Sequence, residues 1–99
     1  MILTIFRSRL KPGMRQEYLE WATRMGALAK EMPGYISHKG FLSEDGEQVT
    51  IVEFESEQAQ RAWSLHPAHV EAKKKGRASF YLEYRVQICN VQRDTAFPR

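Results

Sequence analysis

A chain of 99 residues with 15 lysines and arginines against 12 acidic residues carries a net charge of +3. That is too mild for a nucleic-acid footprint, and its basic residues are not interleaved with aromatics as single-strand binders need. No apolar run approaches the roughly 20 residues of a membrane span, and the start lacks the positive-then-apolar layout of a signal peptide. The single cysteine, Cys89, excludes an internal disulfide and fits a reducing compartment. The expectation is one domain over residues 1–99, with a core at 2–91 and a polar tail at 92–99, located in the cytoplasm with neither nucleic-acid nor membrane partner.

Residues 2–10 read as a strand, with Ile2, Leu3, Ile5, Phe6 and Leu10 apolar, and Lys11-Pro12-Gly13 ends it. Residues 14–32 then show helical spacing. Met14, Tyr18, Trp21, Met25, Leu28, Ala29 and Met32 line one side, while Arg15, Glu17, Glu20 and Arg24 take the other. The methionines on that stripe read as core packing. Pro33-Gly34 stops the helix. Residues 35–42 and 48–55 read as two strands of a hairpin, joined at Ser43-Glu44-Asp45-Gly46.

The second helical region is interrupted at Trp63-Ser64-Leu65-His66-Pro67-Ala68-His69. Pro67 lacks an N–H and disfavours helical geometry at the preceding residue, yet a proline readily opens a new helix. The reading is therefore a helix at 57–65, an elbow at His66, and a second helix at 67–75. Ala59, Ala62, Trp63 and His66 share the core side of the first piece by their spacing. Lys73-Lys74-Lys75 falls at the end of the second, where the helix dipole favours cations, and reads as a solvated helix end. Gly76 resets the chain into a long strand over 77–91. There Phe80, Leu82, Tyr84, Val86 and Ile88 alternate on one face and Tyr81, Glu83, Arg85 and Cys89 on the other.

The order β-α-β-β-α-β is that of a ferredoxin-like α+β fold, an antiparallel four-stranded sheet with helices on one face. Two helices cannot cover both faces, although the strands carry apolar side chains both ways. At about 25 cal/mol per Å², an uncovered face of several hundred Å² forfeits on the order of 10 kcal/mol, comparable with the stability of a whole domain. The expected remedy is a homodimer with the two sheets packed face to face.

Met32-Pro33-Gly34-Tyr35, Asp45-Gly46, Val52-Glu53-Phe54-Glu55, and Ala62-Trp63 with His66-Pro67-Ala68-His69 resemble the antibiotic biosynthesis monooxygenase (ABM) domain, over about residues 2–91. The resemblance implies a dimeric α/β barrel with a pocket in each subunit between sheet and helices. It implies cofactor-independent oxidation of a small aromatic or quinol-type substrate with O2. The alternatives are a non-catalytic binder of an aromatic metabolite and a haem-binding or haem-degrading protein. The haem-degrading members use an asparagine in the first strand, a tryptophan in the second helix and a more distant iron-ligating histidine. Only the tryptophan carries over, as Trp63; Ser8 and Lys73 fall near the other two positions. The resemblance implies no cofactor, and no metal site is evident, because the three histidines and one cysteine lack ligand spacing.

The chemistry needs a base, an anion stabiliser and flat apolar walls. His66 or His69 supplies an imidazole, Arg85 or Arg7 a cation, and Trp63, Phe6, Phe80, Tyr84 and Met25 the surface for a ring. Trp63, His66, His69 and Arg85 are the catalytic candidates, and Phe6, Met25, Phe80 and Tyr84 the substrate-binding ones. Each has a plainer reading: Trp63 as a core ring, His66 as a helix cap, His69 as an exposed side chain and Arg85 as an ion-pair partner, while His38 reads equally as an ordinary strand residue or a pocket one.

Overall fold

The computed structural model describes residues 1–98 and contains β1 (Ile2–Leu10), α1 (Arg15–Ala29), β2 (Tyr35–Leu42), β3 (Gln48–Phe54), α2 (Glu57–Ser64), α3 (Pro67–Lys75) and β4 (Tyr81–Asn90). The strands form one antiparallel sheet in the order β2-β3-β1-β4. The ferredoxin-like order is the expected one, with the second helical region split in two at Pro67. Residues after Asn90 form no helix or strand as far as residue 98, and Arg99 lies outside the described residues.

The β1–β3 register decides what each sheet face carries. Thr4, Phe6 and Ser8 align with Val52, Thr50 and Gln48 on the helix side, while Leu3, Ile5 and Arg7 align with Glu53, Ile51 and Val49 on the other. Phe54, with no exposed surface, and Ala29 and Trp63 form the core between sheet and helices, with Met25, Leu28, Met32 and Tyr35 packed around them. At the hairpin, Gly46 takes a φ of +91°. The Asp45 carboxylate there accepts from the Ser43 hydroxyl, the Glu47 N–H and Arg9, which hold it well below the usual carboxylate range.

Two sequence readings are corrected at the last strand. It does not begin at 77: residues Gly76–Phe80 continue from α3 as a π-helical turn, and β4 starts at Tyr81. Gly76 remains in right-handed helical geometry, and its missing side chain makes room for the Tyr81 ring, which a Cβ built there would overlap. The expected alternation also breaks. The register shifts between Arg9, opposite Glu83, and Leu10, opposite Tyr81, so a bulge at Leu82 returns Tyr81 to the same face as Tyr84. Leu82, expected on the inner face, is 66% exposed. Ala62, expected on the core side of α2, faces solvent as well, leaving Ala59 and Trp63 to hold that helix on the sheet.

The first helix ends three residues before its expected limit. Glu31 and Met32 donate to the carbonyls three residues back, at 3.1 and 3.0 Å, tightening the final turn before Pro33. Gly34 then takes a φ of +85°, and its carbonyl accepts from the Glu55 N–H at 2.8 Å. A Cβ at Gly34 would stand 2.6 Å from that of Ala59, whereas one at Gly13, with a φ of +81°, meets nothing within 4 Å. Gly34→Ala is expected to destabilise by about 2–4 kcal/mol, since overpacking adds to backbone strain. Gly13→Ala, with strain alone, should cost about 1–2 kcal/mol. Paired urea denaturations check the difference, and equal losses would remove the packing role assigned to Gly34.

Candidate active site: an apolar chamber behind the sheet

Helices and sheet enclose a chamber of about 770 Å³, within the usual range for a small-molecule site. Thr4, Phe6, Thr50, Val52 and the inner side chains of β4 form its floor, and Trp21, Met25, Trp63, His69 and Lys73 its helical wall. The side along β4 is the least covered: Tyr84, Val86 and Ile88 remain 43–49% exposed. Phe6 stacks on Tyr84 at 5.7 Å and meets the edge of Tyr81 at 5.4 Å, and Tyr81 also meets Tyr18 edge-on at 6.0 Å. Burial raises the Tyr18 and Tyr81 hydroxyls above the ordinary phenol value, so both remain protonated donors.

The helical wall is organised by the amide hydrogen that Pro67 lacks. In a continuous helix the Trp63 carbonyl would accept from the N–H of residue 67, which does not exist, and the Ser64 carbonyl from that of Ala68. The Ala68 N–H instead caps α3 by donating to His66 Nδ1 at 3.1 Å. The Trp63 carbonyl is left to the His66 N–H and to His69 Nδ1, each at 3.1 Å. Lys73 Nζ takes the Ser64 carbonyl at 2.7 Å and the Ser64 hydroxyl at 2.8 Å. Two side chains of the wall are thus fixed by carbonyls that the helix break released.

The His69 ring lies flat on Trp63, with centroids 4.4 Å apart and an interplanar angle of 12°. Because a carbonyl only accepts, Nδ1 must carry the proton, and Nε2 keeps its lone pair. Burial pushes this imidazole down to about 4, with Lys73 and His66 lowering it further against the raising effect of the Trp63 carbonyl. His69 is therefore a neutral acceptor at physiological pH. His66 has the opposite arrangement: its Nδ1 is occupied as an acceptor and its ring is tilted 47° to Trp63.

Of the residues singled out from sequence, Trp63, His69, Phe6, Met25, Phe80 and Tyr84 line the chamber. The structure does not bring His66 or Arg85 into it. His66 spends its Nδ1 on the α3 cap. Arg85 lies with Arg7, Glu47 and Glu83 around a separate polar hollow of about 220 Å³, because strand alternation turns it to the other sheet face. Arg7 is engaged there by both Glu47 oxygens at 3.1 Å, and Glu83 pairs with Arg9 at 3.2 Å. Among the described residues no group of three or more His, Cys, Asp or Glu side chains is placed to hold a metal. The Lys73 ammonium, near the family position of an iron-ligating histidine, is engaged by Ser64 and offers iron no neutral ligand.

The chamber is also lined by His38, for which the sequence left a strand role and a pocket role equally open, and by Lys73 and Arg77, which were not among the site candidates. His38 reaches the chamber because Gly26 of α1 has no side chain: a Cβ there would lie 2.9 Å from His38 Nε2, while Nδ1 is bound to the Tyr35 hydroxyl at 2.6 Å. Lys73 and Arg77 carried a signal that composition obscured, since His69, Lys73 and Arg77 recur at four-residue steps along one helical face.

A family model described as antibiotic biosynthesis monooxygenase matches residues 1–75. The uncharacterized protein YqjZ of Bacillus subtilis (strain 168) is 35% identical over 80 residues, which is 81% of this chain and 70% of YqjZ. Among solved structures, Rv0793 from Mycobacterium tuberculosis superposes with a TM-score of 0.86 at 17% identity, over 96% of this chain and 98% of that one. SnoaB, a cofactor-independent oxygenase from Streptomyces nogalater, superposes with a TM-score of 0.80 at 17% identity, over 99% and 97% of the two chains. At these identities the two structures share this chain's fold.

The depressed His69 makes stability depend on pH. Its folded value, about 4, lies below the ordinary 6.5, so the unfolded chain takes up the proton first as pH falls. Stability present above pH 6.5 is lost down to about pH 4 and levels off below that. After discounting for the solvent that reaches a half-buried ring, the loss should be about 2 kcal/mol. Urea midpoints across that window should fall for the wild type and stay level for His69→Gln; parallel slopes would contradict the burial assigned to His69.

Proposed function

The chain belongs to the antibiotic biosynthesis monooxygenase family, and from that premise we propose that it is a cofactor-independent monooxygenase acting on a small, flat aromatic or quinol-type substrate with O2. One observation carries the reading: a buried tryptophan and a neutral, stacked histidine share a wall of an apolar chamber large enough for such a ring. Phe6, Phe80, Tyr84 and Met25 offer the substrate apolar surface, and Trp63 an aromatic plane. His69 Nε2 accepts the proton of the substrate hydroxyl, and the electron-rich anion passes an electron to O2. The resulting radicals combine into a carbon-bound peroxide anion, which takes the proton back from His69 to become the hydroperoxide. Where the reacting carbon is a CH2, loss of water from the hydroperoxide leaves a carbonyl. One oxygen atom stays on the substrate and the other leaves as water with the two hydrogens, so no further reductant is consumed.

His66 acts through the elbow that it caps, positioning Trp63 and His69. The reading includes a homodimer. Leu3, Ile5, Val49 and Ile51 lie only partly buried on the sheet face away from the helices, and Arg7 stands opposite Arg85 there. Like charges opposite each other oppose pairing, and a second copy of the sheet would supply apolar cover and carboxylates such as Glu53. Arg85 then belongs to the subunit interface.

The purified protein is expected to run as a dimer in light scattering at micromolar concentration. Among hydroquinones, naphthols and anthrones, at least one should be oxidised with one O2 consumed per turnover. His69→Gln should slow that reaction by roughly 100-fold or more, as loss of a positioned base does, and Trp63→Phe should weaken it as well. Oxygen uptake at the spontaneous rate, unchanged in both variants, would contradict the assignment. Saturable binding of a ligand returned unchanged would favour a non-catalytic binding protein.

A further inference from the structure

The chamber is lined by Arg61, Lys73 and Arg77 and, among the described residues, by no aspartate or glutamate. An otherwise apolar space with charge of one sign around it focuses a field on whatever enters. The three cations are not equivalent. Arg61 is paired with Glu57 across one helical turn, although both ends are about 70% exposed. Lys73 is partly buried and turned inward, unlike its neighbours: Lys74 is exposed and Lys75 reaches Glu17 at 3.7 Å. Its two acceptors, the carbonyl and hydroxyl of Ser64, are both uncharged. An ammonium has three N–H groups, so one is left uncommitted. Arg77 stands one helical turn on, at the start of the π-helical turn, and has no carboxylate within ion-pair distance among the described residues.

We propose that the chamber selects aromatic anions, with Lys73 as the specificity-determining residue that binds a carboxylate or ionised hydroxyl on the ring, and Arg77 reinforcing it. The inference rests on the aromatic-chamber reading above and narrows its substrate class. A charge fixed by Ser64 at the chamber wall meets the ligand's charge without first having to be ordered. Burial and the nearby Arg77 both act to lower the Lys73 ammonium from its ordinary value, and a bound anion relieves both effects. A neutral ring of the same shape gains the apolar contacts only.

Calorimetric titration with 2-naphthoate and its neutral isostere 2-naphthamide separates the two contributions without requiring turnover. In low salt near neutral pH, the wild type should bind the carboxylate about tenfold or more tightly over the amide, in line with a hydrogen bond to a charged group. Lys73→Met should reduce that ratio to about threefold or less, while Lys74→Met keeps it. Raising the salt with the unaltered protein should weaken the carboxylate severalfold and leave the amide unchanged, a readout independent of whether any variant folds. Equal affinities for the two probes in the wild type would overturn the charge selection and leave the aromatic chamber standing. No binding of either would overturn both.

Discussion

The site depends on a missing amide hydrogen. Pro67 ends α2 because it cannot donate to the Trp63 carbonyl, and it opens α3 because its fixed φ suits a first helical turn. Helix termini must satisfy their orphaned groups, and here side chains do so. His66 takes the Ala68 N–H, His69 gives its Nδ1 proton to the Trp63 carbonyl, and Lys73 fills the Ser64 carbonyl. A backbone interruption thereby sets the tautomer of one imidazole, the position of one ammonium and the stacking of His69 on Trp63.

The chamber itself follows from an imbalance between layers. One longer helix and two short ones face four strands, and α2 bears on β1 and β3 while β4 keeps its inner side chains about half exposed. Where α1, α2 and the core of Phe54, Ala29 and Trp63 meet, packing is closed. Toward β4 the layers part, and the gap is floored by Phe6, Tyr81 and Tyr84. The bulge at Leu82 adds to this by turning a second tyrosine inward. Apolar surface that would ordinarily be closed by a helix is left for a ligand ring.

Much of this was legible in the sequence. Period-two and period-3.6 apolar patterns placed all four strands and the broken helix, and Pro67 marked the break to the residue. The bulge and the π-helical turn were not legible, since both arise from tertiary fit: Gly76 yields to the Tyr81 ring, and no local pattern encodes that contact. Arg85 was a reasonable candidate by residue type but fell on the opposite face by strand parity. Lys73 was hidden in a run whose other members behave as solvated cations, and only its spacing from His69 separated it from them. His38 on β2 depended on Gly26 of α1, a close approach that only the folded chain creates.

The most direct test is the protonation of His69, read by two-bond 1H–15N NMR correlation of the imidazole nitrogens. At neutral pH His69 should carry its proton on Nδ1, with Nε2 unprotonated, and keep that form until the pH approaches about 4. A proton on Nε2, or titration at the ordinary value of 6.5, would mean that the Trp63 carbonyl does not hold the ring and that Pro67 does not organise the site.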